Sequence, residues 1–198
     1  MNGIVSDPIS EPITQPGKKS TFLRFVVEVL QTLILALVLY LLIDFMIARV
    51  RVENISMQPT LKPGEFLIVN KLAYRLGQFH YGDIVVFHYN PQEDYIKRVI
   101  GLPGDEVEIN EGKVYINGEQ LQEDYLVSPP AYTGSWQVPE GRLFVLGDNR
   151  NQSSDSHKWG FVPTENVVGK ALVVYWPLSE AKLLTQNKTV NAKNLNIP

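Results

Sequence analysis

From Val26 to Ala48 the chain is largely apolar, and Leu33 to Ile43 is an eleven-residue run in which Tyr40 carries the only polar atom of any side chain. No other part of the sequence restricts the fold as much. A helix crossing a bilayer core needs about 20 apolar residues, and the segment reaches that length only by including Glu28, Gln31, Thr32 and Asp44. Charge at mid-bilayer is expensive, so the two carboxylates are expected near the ends or against a partner. The alternative, a buried core helix, asks a chain of 198 residues to hide a long apolar rod in a small domain. We therefore read residues 23–49 as a transmembrane anchor. The stretch is longer than the h-region of a cleavable leader and ends in Met46-Ile47-Ala48-Arg49 without an Ala-x-Ala site, which fits an uncleaved anchor. Lys18, Lys19 and Arg24 precede it and Arg49 and Arg51 follow, a slight bias toward a cytoplasmic N-terminus.

On either side of the anchor the pattern changes. Residues 1–22 hold Pro8, Pro12, Pro16 and Gly17 among polar residues with no apolar period, and are expected to be a disordered cytoplasmic arm. Beyond residue 50 come short runs rich in Val, Ile, Phe and Tyr: Glu65–Asn70, Asp83–Tyr89, Tyr95–Ile100, Glu106–Ile109, Lys113–Ile116, Arg142–Leu146 and Val167–Trp176. Turn sequences such as Lys62-Pro63-Gly64 and Asn117-Gly118 separate them. The pattern predicts a mainly β domain over 50–178, an antiparallel sheet or barrel, with an excursion near 104–141 that is irregular from Glu119 to Gly141. Lys113-Val114-Tyr115-Ile116-Asn117-Gly118 reads as one arm of a hairpin closed by an Asn-Gly turn. Residues 179–198 read as a polar tail. Eighteen basic and twenty-one acidic side chains leave no basic block, which argues against a nucleic-acid partner. The chain has no cysteine, and its three histidines are scattered. A thiol nucleophile, a disulfide framework, a metal site and a Ser-His-Asp triad are not expected, and no cofactor is implied.

Two residues stand out chemically. Ser56 precedes Met57-Gln58-Pro59, where proline restricts Gln58 to extended or turn geometry and can present the hydroxyl on a fixed bend. Lys97 lies in Tyr95-Ile96-Lys97-Arg98-Val99-Ile100, where alternation sets Tyr95, Lys97 and Val99 against Ile96, Arg98 and Ile100. Either Lys97 or Arg98 is then expected to point inward. A buried lysine loses its charged form more readily and can serve as a base to a hydroxyl. A third stretch, Gly147-Asp148-Asn149-Arg150-Asn151-Gln152-Ser153-Ser154-Asp155-Ser156, follows the apolar strand Leu143–Leu146 with small polar groups that could hold a site in shape.

With these stretches the chain resembles the bacterial type I signal peptidases. The motifs carrying the resemblance are Ser56-Met57-Gln58-Pro59-Thr60, Gly82-Asp83-Ile84-Val85-Val86-Phe87, Lys97 to Asp105 and Gly147 to Pro163, and it spans residues 26 to about 176. It implies an antiparallel β catalytic domain behind an N-terminal anchor, with Ser56 as nucleophile and Lys97 as general base. Ser153 matches the family serine that hydrogen-bonds and orients the lysine, Asp148 and Arg98 a bracing pair of opposite charges, and Asp155 a further bracing carboxylate. Two positions depart from the pattern. Asn54 stands where some members carry a hydroxyl donor to the oxyanion, so the oxyanion hole is expected from Asn54 and the Ser56 N–H. His157 stands where an arginine often pairs with the Asp155 position, and Arg150 is the proposed substitute. Val52, Met57, Tyr95 and Ile96 match the walls of shallow pockets for small residues, or are simply core.

The implied activity is removal of signal peptides from exported preproteins, cutting after Ala-x-Ala. It would take place on the outer face of the plasma membrane, or at a thylakoid or other internal membrane, near lipid and the secretion translocon. Two other readings stand beside it: a catalytically silent, membrane-anchored β module that binds a partner, and a Ser-Lys self-cleaving regulator. The second normally carries a DNA-binding helix-turn-helix, which the apolar N-terminal region does not resemble.

Overall fold

The computed structural model describes residues 18–184. The expected arm lies outside the described residues up to residue 17, as does the expected tail from residue 185. Two compact units are present, one ending at Ile43 and one starting at Asp44. The first is built on helix α1 (Lys18–Met46), a stretch without glycine or proline and rich in leucine. From Phe22 to Met46 it is long and apolar enough to cross a membrane, and its large apolar side chains are exposed. The helix stops three residues short of the expected anchor end. Ile47, Ala48 and Arg49 are apolar or basic strand residues, not helix.

The second unit consists of two antiparallel sheets. In chain order its strands are β1 (Ile47–Arg51), β2 (Phe66–Asn70), β3 (Ile84–Asn90), β4 (Glu93–Gly101), β5 (Glu106–Asn110), β6 (Lys113–Ile116), β7 (Glu119–Gln120), β8 (Gly134–Gln137), β9 (Arg142–Leu146), β10 (Val162–Pro163), β11 (Val167–Trp176) and β12 (Lys182–Leu183). The larger sheet runs β1-β2-β11-β3-β4-β9-β10 with β12 added to β11, and the smaller runs β7-β6-β5-β8. The expected tail thus begins with ordered chain, since Leu183 pairs with Val173. The expected excursion holds the whole smaller sheet. In that sheet, β5 alternates exposed and buried residues along its length, the pattern of a sheet with one wet face. The Asn117-Gly118 turn closes β6 onto β7 with both residues at positive φ, as the hairpin signal required.

The interior strands of the larger sheet read differently. Ile84 to Phe87 in β3 is a continuous apolar run because both faces are covered. Ile84 and Val86 face one cluster, with Val52, Met57, Leu61 and Leu67, while Val85 and Phe87 face another, with Val99, Leu143 and Val145. The same double coverage governs β4, which lies between β3 and β9. Lys97 and Arg98 are therefore both buried, at 4% and 2% exposure, where alternation alone led us to expect only one inward.

Candidate active site

Ser56 rides on a single 3-10 turn, Ile55–Met57, between extended Asn54 and Gln58. Gln58 has φ −66° and ψ 143°, the geometry a following proline enforces. Its N–H returns to the Ile55 carbonyl at 3.0 Å, and the Leu61 N–H reaches the Met57 carbonyl at 2.8 Å. Met57 and Leu61 are sealed in the core, so the turn is anchored from below. A second clamp comes from the loop after β9. The Asn149 N–H donates to the Ser56 carbonyl at 3.0 Å, and its side-chain amide donates to the Ile55 carbonyl at 3.3 Å.

Lys97 meets this turn from β4. Its Nζ lies 2.9 Å from Ser56 Oγ and 3.1 Å from the Ile96 carbonyl, with the Tyr95 ring centroid 5.2 Å away. Burial pushes the amine down from its ordinary 10.5 to about 8, against the upward pull of the Asp155 and Asp148 charges.

Behind the pair lies a buried ionic frame. Arg98 grips Asp148 with two bonds, Nε to Oδ1 at 2.8 Å and Nη2 to Oδ2 at 2.6 Å, and donates Nη1 to the Gly82 carbonyl at 2.9 Å. Asp155 is fully buried. Its Oδ2 accepts from the Gly147 N–H at 2.9 Å and its Oδ1 meets His157 Nδ1 at 2.5 Å. The suggestion that Arg150 pairs with Asp155 is overturned: Arg150 sends both its terminal nitrogens to Glu123 and its Nε to the Gly147 carbonyl. The planar guanidinium fork matches one carboxylate edge, and Glu123 supplies it. Histidine, not Arg150, stands at Asp155.

Ser153 is buried beside the frame, but its Oγ has no hydrogen-bond partner among the described residues, so the bond to Lys97 that the resemblance implies is not formed here. Its nearest constraint is Gly147. A Cβ built there would come within 2.3 Å of Ser153 Oγ and 2.5 Å of the Ser56 carbonyl oxygen. Only glycine permits the β9 loop to approach the serine turn this closely.

Above Ser56 and Lys97 opens a cleft of about 760 Å³. One wall is Val50–Met57, the other His88 and Pro91–Lys97, with Gln152 and Ser154 at the end. Val52, Met57, Tyr95 and Ile96 all line it. Val52 and Met57 also belong to a core cluster, and Ile96 packs against it. Asn54 is exposed at the same wall, and its side chain makes no cap bond to the 3-10 turn. Among the described residues no group of histidine and carboxylate side chains could hold a metal ion.

A family model described as signal peptidase, peptidase S26, matches residues 24–176. The chain belongs to this family. It is 44% identical over 169 residues to "Probable signal peptidase I-2" of Synechocystis sp., covering 81% of this chain and 78% of that one. It is 43% identical over 183 residues to signal peptidase I of Leptolyngbya laminosa, covering 87% and 88%. A crystal structure of a signal peptidase I from Enterococcus faecalis matches 47% of this chain and 96% of its own at 36% identity, with a TM-score of 0.44.

Against the S26 frame, sequence reasoning missed Asn149, Gly147 and Glu123 as site-building residues. Asn149 and Gly147 lie in the polar stretch already singled out, next to Asp148. Glu123 lies 27 residues from Arg150 in a segment without periodicity, and no local signal connects the two.

Proposed function

We propose that this S26 family member is a membrane-anchored serine endopeptidase that removes signal peptides from exported preproteins, with Ser56 as nucleophile and Lys97 as general base. The observation that carries the reading is the 2.9 Å contact between Ser56 Oγ and a lysine amine almost sealed from water, at the floor of an open cleft. With the amine at about 8, about one Lys97 in ten is neutral at pH 7. That neutral Nζ takes the Ser56 proton as Oγ bonds to the carbonyl carbon of the scissile peptide. The tetrahedral oxyanion is held by the Ser56 N–H and the Asn54 amide. As the C–N bond breaks, the Lys97 ammonium returns the proton to the leaving amine. Water then attacks the acyl-enzyme, Lys97 again accepting a proton, and Ser56 and a new carboxylate are released.

The walls support cleavage after Ala-x-Ala. Val52, Met57, Tyr95 and Ile96 put bulky apolar and aromatic side chains in the lining, which favours small residues beside the cut, and the β1 side of the cleft is a sheet edge along which an extended peptide can lie. A 25-residue apolar span is about 37 Å long as helix, enough for a hydrocarbon core of about 30 Å. It supports single-pass anchoring in lipid of the plasma or a thylakoid membrane. The peptidase domain would lie on the extracytoplasmic side near the translocon, where precursors still tethered by their own apolar segments are held at high local concentration.

The test is cleavage of a precursor whose leader ends in Ala-x-Ala by the detergent-solubilised full chain, beside Ser56→Ala and Lys97→Met. Wild type should cut after the last alanine and both variants should be inert while folded. A wild-type protein that leaves the precursor intact in detergent and in lipid sinks the reading in favour of an anchored binding module.

A further inference from the structure

Residues 121–133 lie outside the lining of the cleft, which is drawn from residues 50–57, 88–97, 152 and 154. Yet they send two largely buried polar side chains into the ionic frame. The Glu123 carboxylate, 7% exposed, accepts from Arg150 at 2.9 Å and 2.5 Å and from the Tyr125 hydroxyl at 2.6 Å. The Tyr125 ring lies 4.0 Å from the Arg98 guanidinium and 6.0 Å from that of Arg150. The segment is tied down again where Asn151 donates to the Pro129 carbonyl at 3.0 Å and accepts from the Ala131 N–H at 2.8 Å.

Two buried guanidinium groups are thus held around one aromatic ring, and each does a different task. Arg98 carries Asp148, and Arg150 carries the Gly147 carbonyl. Gly147 is the residue whose N–H is fixed by Asp155 and whose Cα face touches both Ser153 and Ser56. Two buried cations need two anions, and Asp148 and Glu123 supply one each. Without the Glu123 charge, Arg150 would be left to compete for Asp148 or Asp155, the carboxylates that hold Arg98 and Gly147 in place.

We propose that residues 121–133 form a strap that sets the geometry of the dyad from behind, with Glu123 acting through Arg150 and Tyr125 acting through Arg98 as positioning residues. The inference rests on the Ser56–Lys97 reading above. It separates the strap from substrate binding: removing its contacts should misplace the reacting groups without altering the walls that hold the peptide.

The experiment is steady-state cleavage of an Ala-x-Ala precursor by the full chain in detergent. Glu123→Gln, Glu123→Asp and Tyr125→Leu are run beside wild type and Ser56→Ala, with the folded fraction of each measured at the assay temperature. Glu123→Gln and Tyr125→Leu should lower kcat about tenfold to a hundredfold, the penalty typical of an ångström-scale misplacement, with KM within about twofold of wild type. Glu123→Asp, which keeps the charge, should recover part of kcat. An unchanged kcat, a rise in KM at constant kcat, or a loss matched by the unfolded fraction overturns the strap. If Glu123→Gln does not fold, Tyr125→Leu carries the test, since it leaves both ion pairs intact. Wild type that fails to cut, or Ser56→Ala that cuts equally, removes the dyad reading and this inference with it. Wild type that cuts beside strap variants that cut as well removes the strap alone.

Discussion

Lys97→Met should kill activity and yet stabilise the protein at neutral pH. In the unfolded chain Lys97 keeps its proton to about 10.5, while in the folded protein burial releases it at about 8. Between those values the unfolded state binds more protons, so stability rises with pH; below 8 the full penalty of a buried ammonium applies. At about 1.4 kcal/mol per pH unit, the gap between 10.5 and 8 is worth about 3 kcal/mol. Methionine removes that penalty with a stem of similar length but forfeits the contacts to Ser56 Oγ and the Ile96 carbonyl, about 1 kcal/mol each. The variant should be about 1 kcal/mol more stable than wild type at pH 7, raising Tm by about 2–4 °C, and about 2 kcal/mol less stable at pH 10.5. Denaturant titrations of both full chains in one detergent, from pH 7 to 10.5, read the difference directly, and other titrating groups cancel in it. A difference that stays constant over that range would mean that Lys97 is not held against its charge, and the base assignment would lose its physical ground.

Three further outcomes follow from the same frame. The kcat/KM of wild type should rise with pH through a midpoint of about 8; because the Asp155 charge favours the ammonium, Asp155→Asn should move that midpoint down, and an upward move contradicts the assignment. Gly147→Ala must push a methyl into Ser153 Oγ and the Ser56 carbonyl, so cleavage should fall about a hundredfold, and a fully active variant would show that the loop does not seat the serine turn. Asp148→Ala leaves Arg98 buried without its carboxylate and should lower stability by about 3–5 kcal/mol in a melt or denaturant titration; a loss under 1 kcal/mol would mean that the pair braces nothing.

The strands most legible in the sequence were those whose apolar residues are contiguous or strictly alternating. Lys113–Ile116, Arg142–Leu146 and Val167–Trp176 have the bounds their composition suggested. The strands that were not legible are short or disguised. β7, β10 and β12 have two residues each, too few to show a period, and β8 lies in a stretch whose prolines and glycine suggested irregular chain. The first three residues of β1 were absorbed into the anchor because hydropathy records that Ile47 and Ala48 are apolar, not whether they avoid water in lipid or, as Ala48 does here, against a folded core. At the candidate site, Ser56 and Lys97 could be singled out from their own local stretches, whereas Asp148 and Asp155 were named only through the family resemblance.

By itself, then, the amino-acid order determined the mainly β class, the long apolar helix before it, and the residue types able to do acyl transfer. Those properties depend on neighbours within a few positions, where hydrophobic period and backbone restriction act. Tertiary structure decided how residues far apart in the chain meet. It set Ser56 2.9 Å from a lysine 41 positions away, buried Arg98 as well as Lys97, gave Asp155 to His157, and gave Arg150 to Glu123. Which charge pairs with which, and how far burial shifts a proton, depends on distance and on exclusion of water. Both exist only once the sheets have closed over one another.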